Sequence, residues 1–147
     1  MSEQKGVKVP EATMDEIDSL LRSARTIAVI GASPQPERDS HRVARYLQEH
    51  GYRIIPVNPG RDELLGERCF PDLASIPPET AIDIVDIFRR VEFIPAIVDQ
   101  AIARRAAAVW MQLGLVDVVS ARKARDAGLV VVMDRCLKIE HARRTNA

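Results

Sequence analysis

The chain alternates between short, mostly apolar runs and longer segments whose apolar residues recur at helical spacing. The apolar runs lie at 27–30, 52–57, 82–88, 107–111 and 129–133. Runs with so little polar alternation are typical of strands that are buried on both faces of a parallel sheet. Strands that alternate with helices along one chain predict an α/β fold with helices on both faces of the sheet.

Four segments have the spacing of amphipathic helices. Thr13 and Glu16 form a capping box, and apolar residues follow at helical spacing as far as about Ala24. The same spacing predicts further helices over 41–50, 94–102 and 118–127. We expect Ser40 to cap the second of these four helices and Gly51 to take the left-handed position just after it.

The order of the strands decides where a ligand would bind. Right-handed crossovers favour a doubly wound, Rossmann-like sheet of five parallel strands in the order 3-2-1-4-5. That order places the first and fourth strands side by side where the winding reverses. Ligands of such sheets bind outside the carboxyl ends of the strands at this reversal. The residues directly after each strand are therefore the candidate site residues.

The remaining segments have weaker patterns. A short edge strand near 68–70 and a helical turn near Leu73 are expected in the middle of the chain, and a basic tail is expected at its end. Residues 1–12 are predicted to form a flexible leader. Residues 13–147 are predicted to form a single domain, because 147 residues is the length of one ordinary domain.

Composition narrows the class of protein. The chain has 21 Lys and Arg against 21 Asp and Glu, so its formal net charge is zero. Proteins that coat nucleic acid or bind acidic membranes need concentrated positive charge, and the balance argues against both. No apolar stretch reaches the roughly 18 residues that cross a bilayer, and no signal-peptide pattern is present. We expect a soluble cytoplasmic protein without a nucleic-acid or membrane partner.

The first strand is followed by Gly31, Ala32 and Ser33. Glycine turns the chain without a side-chain penalty and lets a ligand approach the backbone, while the start of the next helix favours an anion. We therefore predict a phosphate site here; the alternative is a glycine that serves only the turn. The side chains that would add hydroxyl groups and positive charge are those of Ser33, Arg38, Ser40 and Arg42.

The second strand ends in Val57, Asn58 and Pro59. Asn58 can donate and accept hydrogen bonds and Pro59 can pack flat against a base, although Asn-Pro-Gly is also a common turn. No acidic residue ends this strand, where one would bind the ribose of NAD. Ser33 and Pro36 also replace the second and third glycines of the dinucleotide fingerprint, so plain NAD binding is disfavoured.

The third strand ends in a residue that can bind a diphosphate, and the fourth strand ends in a residue that can hydrogen-bond to an amide. Arg89 follows Phe88, and its planar guanidinium matches a diphosphate or a carboxylate. Arg90 could serve in the same way or could pair with Glu92 at the surface. Gln112 leaves the fourth strand beside the expected position of the first-strand loop, where it would read an amide of a ligand.

Candidates for catalysis are few. Cys136 follows the fifth strand between Arg135 and Lys138, which would favour its thiolate form, although an unreactive buried cysteine is the commoner case. The three histidines are isolated in sequence, and the chain has no nucleophile elbow, zinc-ligand spacing or Walker loop. We therefore expect a binding protein with no catalytic residues and no metal site.

Taken in order, these strand ends resemble those of the stand-alone coenzyme A-binding domain family. That family is related to the coenzyme A-binding domain of succinyl-CoA synthetase alpha subunits and of acyl-CoA synthetases. The resemblance covers about residues 13–144. The segments that carry it are Ile30–Ser33, Val57–Gly60, Asp86–Arg90, Trp110–Gly114 and Asp134–Cys136.

The resemblance implies that the ligand is coenzyme A or an acyl-CoA. The loop Gly31–Ser33 and the start of the following helix would hold the diphosphate, and Arg38 and Arg42 are candidates for the 3′-phosphate. The residues implied along the rest of the ligand are Val57, Asn58 and Pro59 at the adenosine end, Phe88 and Arg89 along the groove, and Gln112 towards the pantetheine arm.

The resemblance does not extend to the chemistry of the related ligases. Those enzymes carry a further domain with a phosphorylated histidine and an ATP-grasp portion, and no segment of this sequence matches either. Ligase activity by this chain alone is therefore not implied, and a separate protein partner is left open. Two alternatives also stay open, namely an NAD(P)-dependent oxidoreductase and an interaction module with a vestigial nucleotide pocket.

Overall fold

The fold is described by a computed structural model that covers residues 11–145, so residues 1–10 of the expected leader lie outside the described part. The helices are α1 (Met14–Ser23), α2 (Asp39–Glu49), α3 (Ile94–Ala103), α4 (Val118–Asp126) and α5 (Leu137–Thr145). The strands are β1 (Thr26–Ile30), β2 (Arg53–Val57), β3 (Glu63–Leu64), β4 (Glu67–Arg68), β5 (Ile84–Ile87), β6 (Ala108–Met111) and β7 (Val130–Val132).

Five of these strands form one parallel sheet in the order β2-β1-β5-β6-β7, which confirms the predicted α/β, Rossmann-like fold class. The expected order 3-2-1-4-5 needs correction, because the third of these five strands, β5, lies next to β1 and not outside β2. The place beside β2 is taken by Phe70, which bridges to Val57 and accepts a hydrogen bond from the Asn58 N–H at 2.8 Å. The winding therefore reverses between β1 and β5.

The sheet separates two apolar layers. Helices α3 and α4 pack on one face against residues such as Val85 and Val109. Helices α1, α2 and α5 pack on the other face against residues such as Ile84 and Trp110. Neighbouring residues of one strand belong to opposite layers because strand side chains alternate between faces. Both faces are covered, which explains the continuous apolar runs in the sequence.

Most element boundaries agree with the sequence pattern to within one or two residues, but the start of α2 differs. The helix begins at Asp39, and the side chain of its N-cap residue, Arg38, makes no capping hydrogen bond. Ser40 lies inside the first turn and is buried, and its Oγ accepts a hydrogen bond from the Ser33 N–H at 3.0 Å. Ser40 therefore fixes the preceding loop and does not cap the helix as predicted.

The expected basic tail is helix α5. Leu137 and His141 are buried one turn apart, which gives this helix an apolar stripe. Glu140 is also buried, and its carboxylate pairs with Arg143 and Arg144, each at 3.0 Å. These pairs explain how a segment rich in cations can pack against the sheet.

The connection between β2 and β5 has little regular structure. Strands β3 and β4 form a two-stranded hairpin. The edge strand predicted near 68–70 corresponds to β4, which ends at Arg68, and to the single bridge of Phe70 with Val57. The helical turn expected near Leu73 is a 3₁₀ turn. Arg104 at the end of α3 donates hydrogen bonds to four carbonyl oxygens of this connection, those of Leu73, Ile76, Pro77 and Thr80. Within residues 11–145, no helix is long and apolar enough to span a membrane.

Asp86 lies in the middle of the sheet, between Val29 of β1 and Trp110 of β6. The residue is fully buried, and among the described residues neither carboxylate oxygen has a hydrogen-bond partner. Burial raises the pKa of this carboxyl well above its ordinary value, since a charge in an apolar interior is costly. The folded protein therefore keeps this proton at pH values where the unfolded chain has lost it.

Replacing Asp86 by Asn tests this assignment. The contribution of Asp86 to the stability of the wild-type protein should fall as pH rises above the pKa of the unfolded carboxyl, about 3.9, by up to about 1.4 kcal/mol per pH unit. Asp86→Asn has no proton to lose there. We therefore expect the difference in Tm between the variant and the wild type to grow in favour of the variant from about pH 4 to pH 7. Calorimetry that finds a difference independent of pH would contradict the assignment.

Candidate functional site

Two adjoining clefts open at the carboxyl ends of the strands. The first has a volume of about 640 Å³ and lies over the loop after β1 and the start of α2. The second has a volume of about 500 Å³ and lies over the ends of β5 and β6 and the start of α5. Asp39, Phe88 and Arg89 line both clefts. The clefts therefore meet where the winding of the sheet reverses, which is where such folds bind ligands.

Gly31 brings the ends of β1 and β5 together. Its φ is +85°, a conformation that other residues rarely adopt. A Cβ at this position would lie 2.8 Å from the carbonyl oxygen of Phe88 and 3.0 Å from the Cδ of Arg89. Only glycine allows this close approach, and the approach sets the position of Arg89 relative to the first-strand loop.

The amides of the first-strand loop already have acceptors within the chain. The N–H groups of Gly31 and Ala32 both donate to the carbonyl oxygen of Val57, at 3.0 and 3.3 Å. The Ser33 N–H donates to Ser40 Oγ. These three amides, which the sequence suggested as phosphate donors, hold the loop in place instead.

The free backbone donors lie one step further along the chain, in the first turn of α2. Among the described residues, the N–H groups of Asp39 and Ser40 have no acceptor. Such amides at the start of a helix are the ordinary donors to a bound anion, and the helix dipole adds to their effect. Both residues line the first cleft.

The Asn58 side chain stabilises the backbone of the site through both of its polar atoms. Its Nδ2 donates to the Ala32 carbonyl oxygen at 2.8 Å, and its Oδ1 accepts from the Gly60 N–H at 2.7 Å. The structure thus gives Asn58 the turn role that the sequence left as an alternative. The Val57 side chain is buried in the core, whereas Pro59 is exposed and lines the first cleft.

Arg89 contributes a positive charge at the point where the two clefts meet. Its guanidinium lies 4.1 Å from the ring centre of Phe93, and it forms no ion pair or hydrogen bond with any described residue. Arg90 differs, because it pairs with Glu92 at 3.7 Å and its side chain is 76% exposed. The surface pairing suggested for Arg90 is therefore what the structure shows.

The two cations at the start of α2 also differ from each other. Arg42 pairs with Asp39 and donates a hydrogen bond to the Glu37 carbonyl oxygen. Arg38 lies in the first cleft, and its Nε donates only to the uncharged Oε1 of Gln35, at 3.3 Å. Arg38 is therefore the one of these two arginines whose charge is not balanced by a neighbouring carboxylate among the described residues.

Gln112 lines the second cleft and not the first. The expectation that it adjoins the first-strand loop fails because β5 separates β6 from β1. Its side chain is 6% exposed, and its Oε1 accepts a hydrogen bond from the Leu137 N–H at 3.3 Å. Cys136, the residue before α5, lines the same cleft and is partly exposed.

The sequence pattern did not indicate that residues of α5 line the second cleft. Lys138 and Ile139 line the cleft beside Leu113 and Leu115 from the loop after β6. The available signal was the spacing of Leu137 and His141, four residues apart, in a segment read as a tail.

Two of the three histidines come together, but away from both clefts. The rings of His50 and His141 are 5.3 Å apart between α2 and α5, and the Tyr46 hydroxyl is 2.9 Å from His141 Nδ1. Burial lowers the pKa of His141, and the neighbouring His50 lowers it further. In the described part of the chain, no three His, Cys, Asp or Glu residues lie close enough to hold a metal ion.

Comparisons with known proteins agree with this architecture. A family model described as a CoA binding domain matches residues 25–142. The chain is 40% identical to the uncharacterized protein YneT of Bacillus subtilis over 127 residues, which is 86% of this chain and 93% of YneT. It superposes on a hypothetical protein from Pyrococcus horikoshii with a TM-score of 0.86 and 39% identity, covering 93% of this chain and 95% of the other.

A more distant similarity connects the chain to a larger enzyme. The ADP-forming acetate–CoA ligase II of Archaeoglobus fulgidus is 32% identical over 65 residues. The match covers 43% of this chain and only 10% of that ligase. The similarity is therefore limited to one part of the ligase.

Gly31→Ala tests the close approach of β1 and β5, with Gly128→Ala as the matched control. Both glycines have positive φ, so alanine should cost each about 1–2 kcal/mol of stability. Only the Cβ at Gly31 meets a backbone atom, because nothing described lies within 4 Å of a Cβ at Gly128. We expect urea unfolding to show a clearly larger loss for Gly31→Ala. Equal losses for the two variants would mean that the approach does not constrain the site.

Proposed function

The chain belongs to the CoA binding domain family, and from this premise we propose that it binds coenzyme A across both clefts without catalysing a reaction by itself. The observation that carries the proposal is Arg89. An arginine with no carboxylate partner among the described residues lies where the two clefts meet, held over the Phe93 ring. An anionic ligand would supply the missing partner.

The first cleft suits the diphosphate. The free N–H groups of Asp39 and Ser40 and the guanidinium of Arg89 approach it from two sides. Phosphate oxygens would accept from both, as in other anion sites at helix starts. This assignment keeps the predicted helix start as the source of backbone donors and leaves out the amides of the loop Gly31–Ser33.

The remaining parts of the ligand follow from the shape of the site. Pro59, exposed beside the first cleft, offers a flat apolar surface to the adenine, and Arg38 offers an unbalanced charge to the 3′-phosphate. The second cleft continues from Arg89 towards Gln112 and has mostly apolar walls. It therefore suits the pantetheine arm, which is an aliphatic chain with two amide groups.

The nicotinamide alternative has weaker support. A ribose of NAD is usually bound by a carboxylate at the end of the second strand, and that position holds Asn58. Both polar ends of the Asn58 side chain already hydrogen-bond to backbone groups of the site. The proposal therefore does not include a nicotinamide cofactor.

Arg89→Ala tests the proposed site, and Arg45→Ala is its control, since Arg45 of α2 lines neither cleft. A hydrogen bond to a charged group contributes about 1.5–3 kcal/mol. Arg89→Ala should therefore weaken binding of coenzyme A by about 10- to 100-fold in isothermal titration calorimetry. Arg45→Ala should change the affinity by no more than about twofold, because Arg45 forms an exposed ion pair with Glu49 away from both clefts.

Native mass spectrometry of the freshly purified protein separates the proposal from its rivals. Retained coenzyme A supports it, whereas retained nicotinamide dinucleotide would support an oxidoreductase. If calorimetry finds no binding of coenzyme A, or equal affinity in the wild type and Arg89→Ala, the proposed site is wrong.

A further inference from the structure

We propose that the second cleft holds the thiol end of coenzyme A against Cys136, and that Cys136 can retain the ligand covalently by exchange with a coenzyme A disulfide. The inference rests on the proposed function and adds a reaction to the same site. It is carried by the Gln112 side chain, the walls of the second cleft and the contrast between the two cysteines.

Gln112 carries a hydrogen-bond donor with no partner in the described part of the chain. Its side chain is more than nine-tenths buried, and it lines the second cleft. The Leu137 N–H donates to Oε1, which settles the orientation of the amide and leaves Nε2 as a donor without an acceptor among the described residues. This free donor belongs to a residue that lines the second cleft, where a carbonyl group of a ligand would accept from it. The amides of the pantetheine arm supply such carbonyls.

The walls of the cleft fit the aliphatic parts of the same arm. Val43 of α2, Leu115 after β6 and Ile139 of α5 line it together with Phe88. Charged residues also line the cleft, namely Asp39, Arg42, Arg89, Arg90 and Lys138, but most of its surface is apolar. A mostly apolar cleft with the Gln112 amide in its lining suits an aliphatic chain interrupted by amide groups. Cys136 lies in the lining of the same cleft, so a ligand anchored by its diphosphate at Arg89 would present its thiol to that part of the cleft.

The backbone around Cys136 is fixed on both sides. The Trp110 indole N–H donates to the Arg135 carbonyl oxygen at 2.8 Å, and the Glu140 N–H donates to the Cys136 carbonyl oxygen at 2.9 Å. The thiol is therefore presented from a rigid segment at the start of α5.

The second cysteine provides an internal contrast. Cys69 is buried, and burial raises the pKa of its thiol. Its Sγ also lies 3.6 Å from the Asn58 carbonyl oxygen, to which it can donate. A buried thiol with a raised pKa is a poor nucleophile, so disulfide exchange should select Cys136, which is partly exposed.

The exchange needs no other oxidant than the disulfide itself. The Cys136 thiol loses its proton to solvent, and the thiolate attacks one sulfur of the coenzyme A disulfide. A disulfide bond forms between Cys136 and the sulfur of one coenzyme A while the disulfide bond of the reagent breaks. The other coenzyme A leaves as a thiolate that takes up a proton. Small thiols reverse the reaction. The fraction of the protein that carries coenzyme A on Cys136 would therefore depend on the ratio of thiols to disulfides in its surroundings.

The test is the reaction of the purified protein with coenzyme A disulfide, followed by intact-protein mass spectrometry without reductant. We expect one adduct, with the mass of coenzyme A less two hydrogens, that dithiothreitol removes. Peptide mapping should place it on Cys136. Cys136→Ser should form no adduct, whereas Cys69→Ser should form it as the wild type does.

A second pair of reagents shows whether the nucleotide guides the reaction. Arg89→Ala should slow the reaction with coenzyme A disulfide by about tenfold or more, because binding no longer concentrates the reagent at the thiol. It should leave the reaction with cystamine, a small disulfide without a nucleotide, unchanged. Equal slowing with both reagents, or an adduct that maps to Cys69, would overturn the inference.

The proposed binding of coenzyme A and the covalent step on Cys136 can be distinguished by experiment. Calorimetry that finds binding of coenzyme A, together with no adduct on Cys136, would leave the proposed function standing and refute the covalent step. An adduct on Cys136 with cystamine and coenzyme A disulfide at equal rates, without measurable binding of coenzyme A, would refute both the guided reaction and the proposed function.

Discussion

The contact on which the site depends is the approach of the β1 and β5 ends at Gly31. The Phe88 carbonyl oxygen lies only 2.8 Å from the position that the β-carbon of any other residue would take. The two strand ends can therefore adjoin in this way only while this position has no side chain. The same contact places Arg89 beside the first-strand loop and lets the two clefts meet at one point. A constraint on the backbone therefore determines where the unpaired charge of the site lies.

The hydrogen-bond donors near this point are divided between the fold and a ligand. Val57, Asn58 and Ser40 satisfy the polar groups of the first-strand loop, which becomes part of the rigid framework. Within residues 11–145, the donors near this point that have no acceptor include the amides of Asp39 and Ser40 and the guanidinium of Arg89. A site whose framework is complete before the ligand arrives loses little conformational entropy on binding, which is the advantage of preorganisation.

The sequence predicts the helices and strands better than it predicts which of them are adjacent in the fold. A continuous apolar run such as Ile27–Ile30 identifies a strand buried on both faces, but it carries no record of which strand pairs with it. The periodicity of the third run does not reveal that β5 lies beside β1, nor that Phe70 alone bridges to the outer side of β2. For the same reason the partners of Ser40 and Asn58, at sequence distances of 7 and 26 residues, came only from the structure. The two clefts lie at the strand ends that the sequence selects, because these ends meet at one edge in every parallel sheet.

The single tryptophan of the chain, Trp110, gives this architecture a built-in optical probe. Its indole is fully buried beside Asp86, and its N–H is bonded to the carbonyl that precedes Cys136. Any change that shifts this segment alters the polarity around the only indole chromophore. Fluorescence emission can therefore report events at the floor of the second cleft in the native protein, with no label attached.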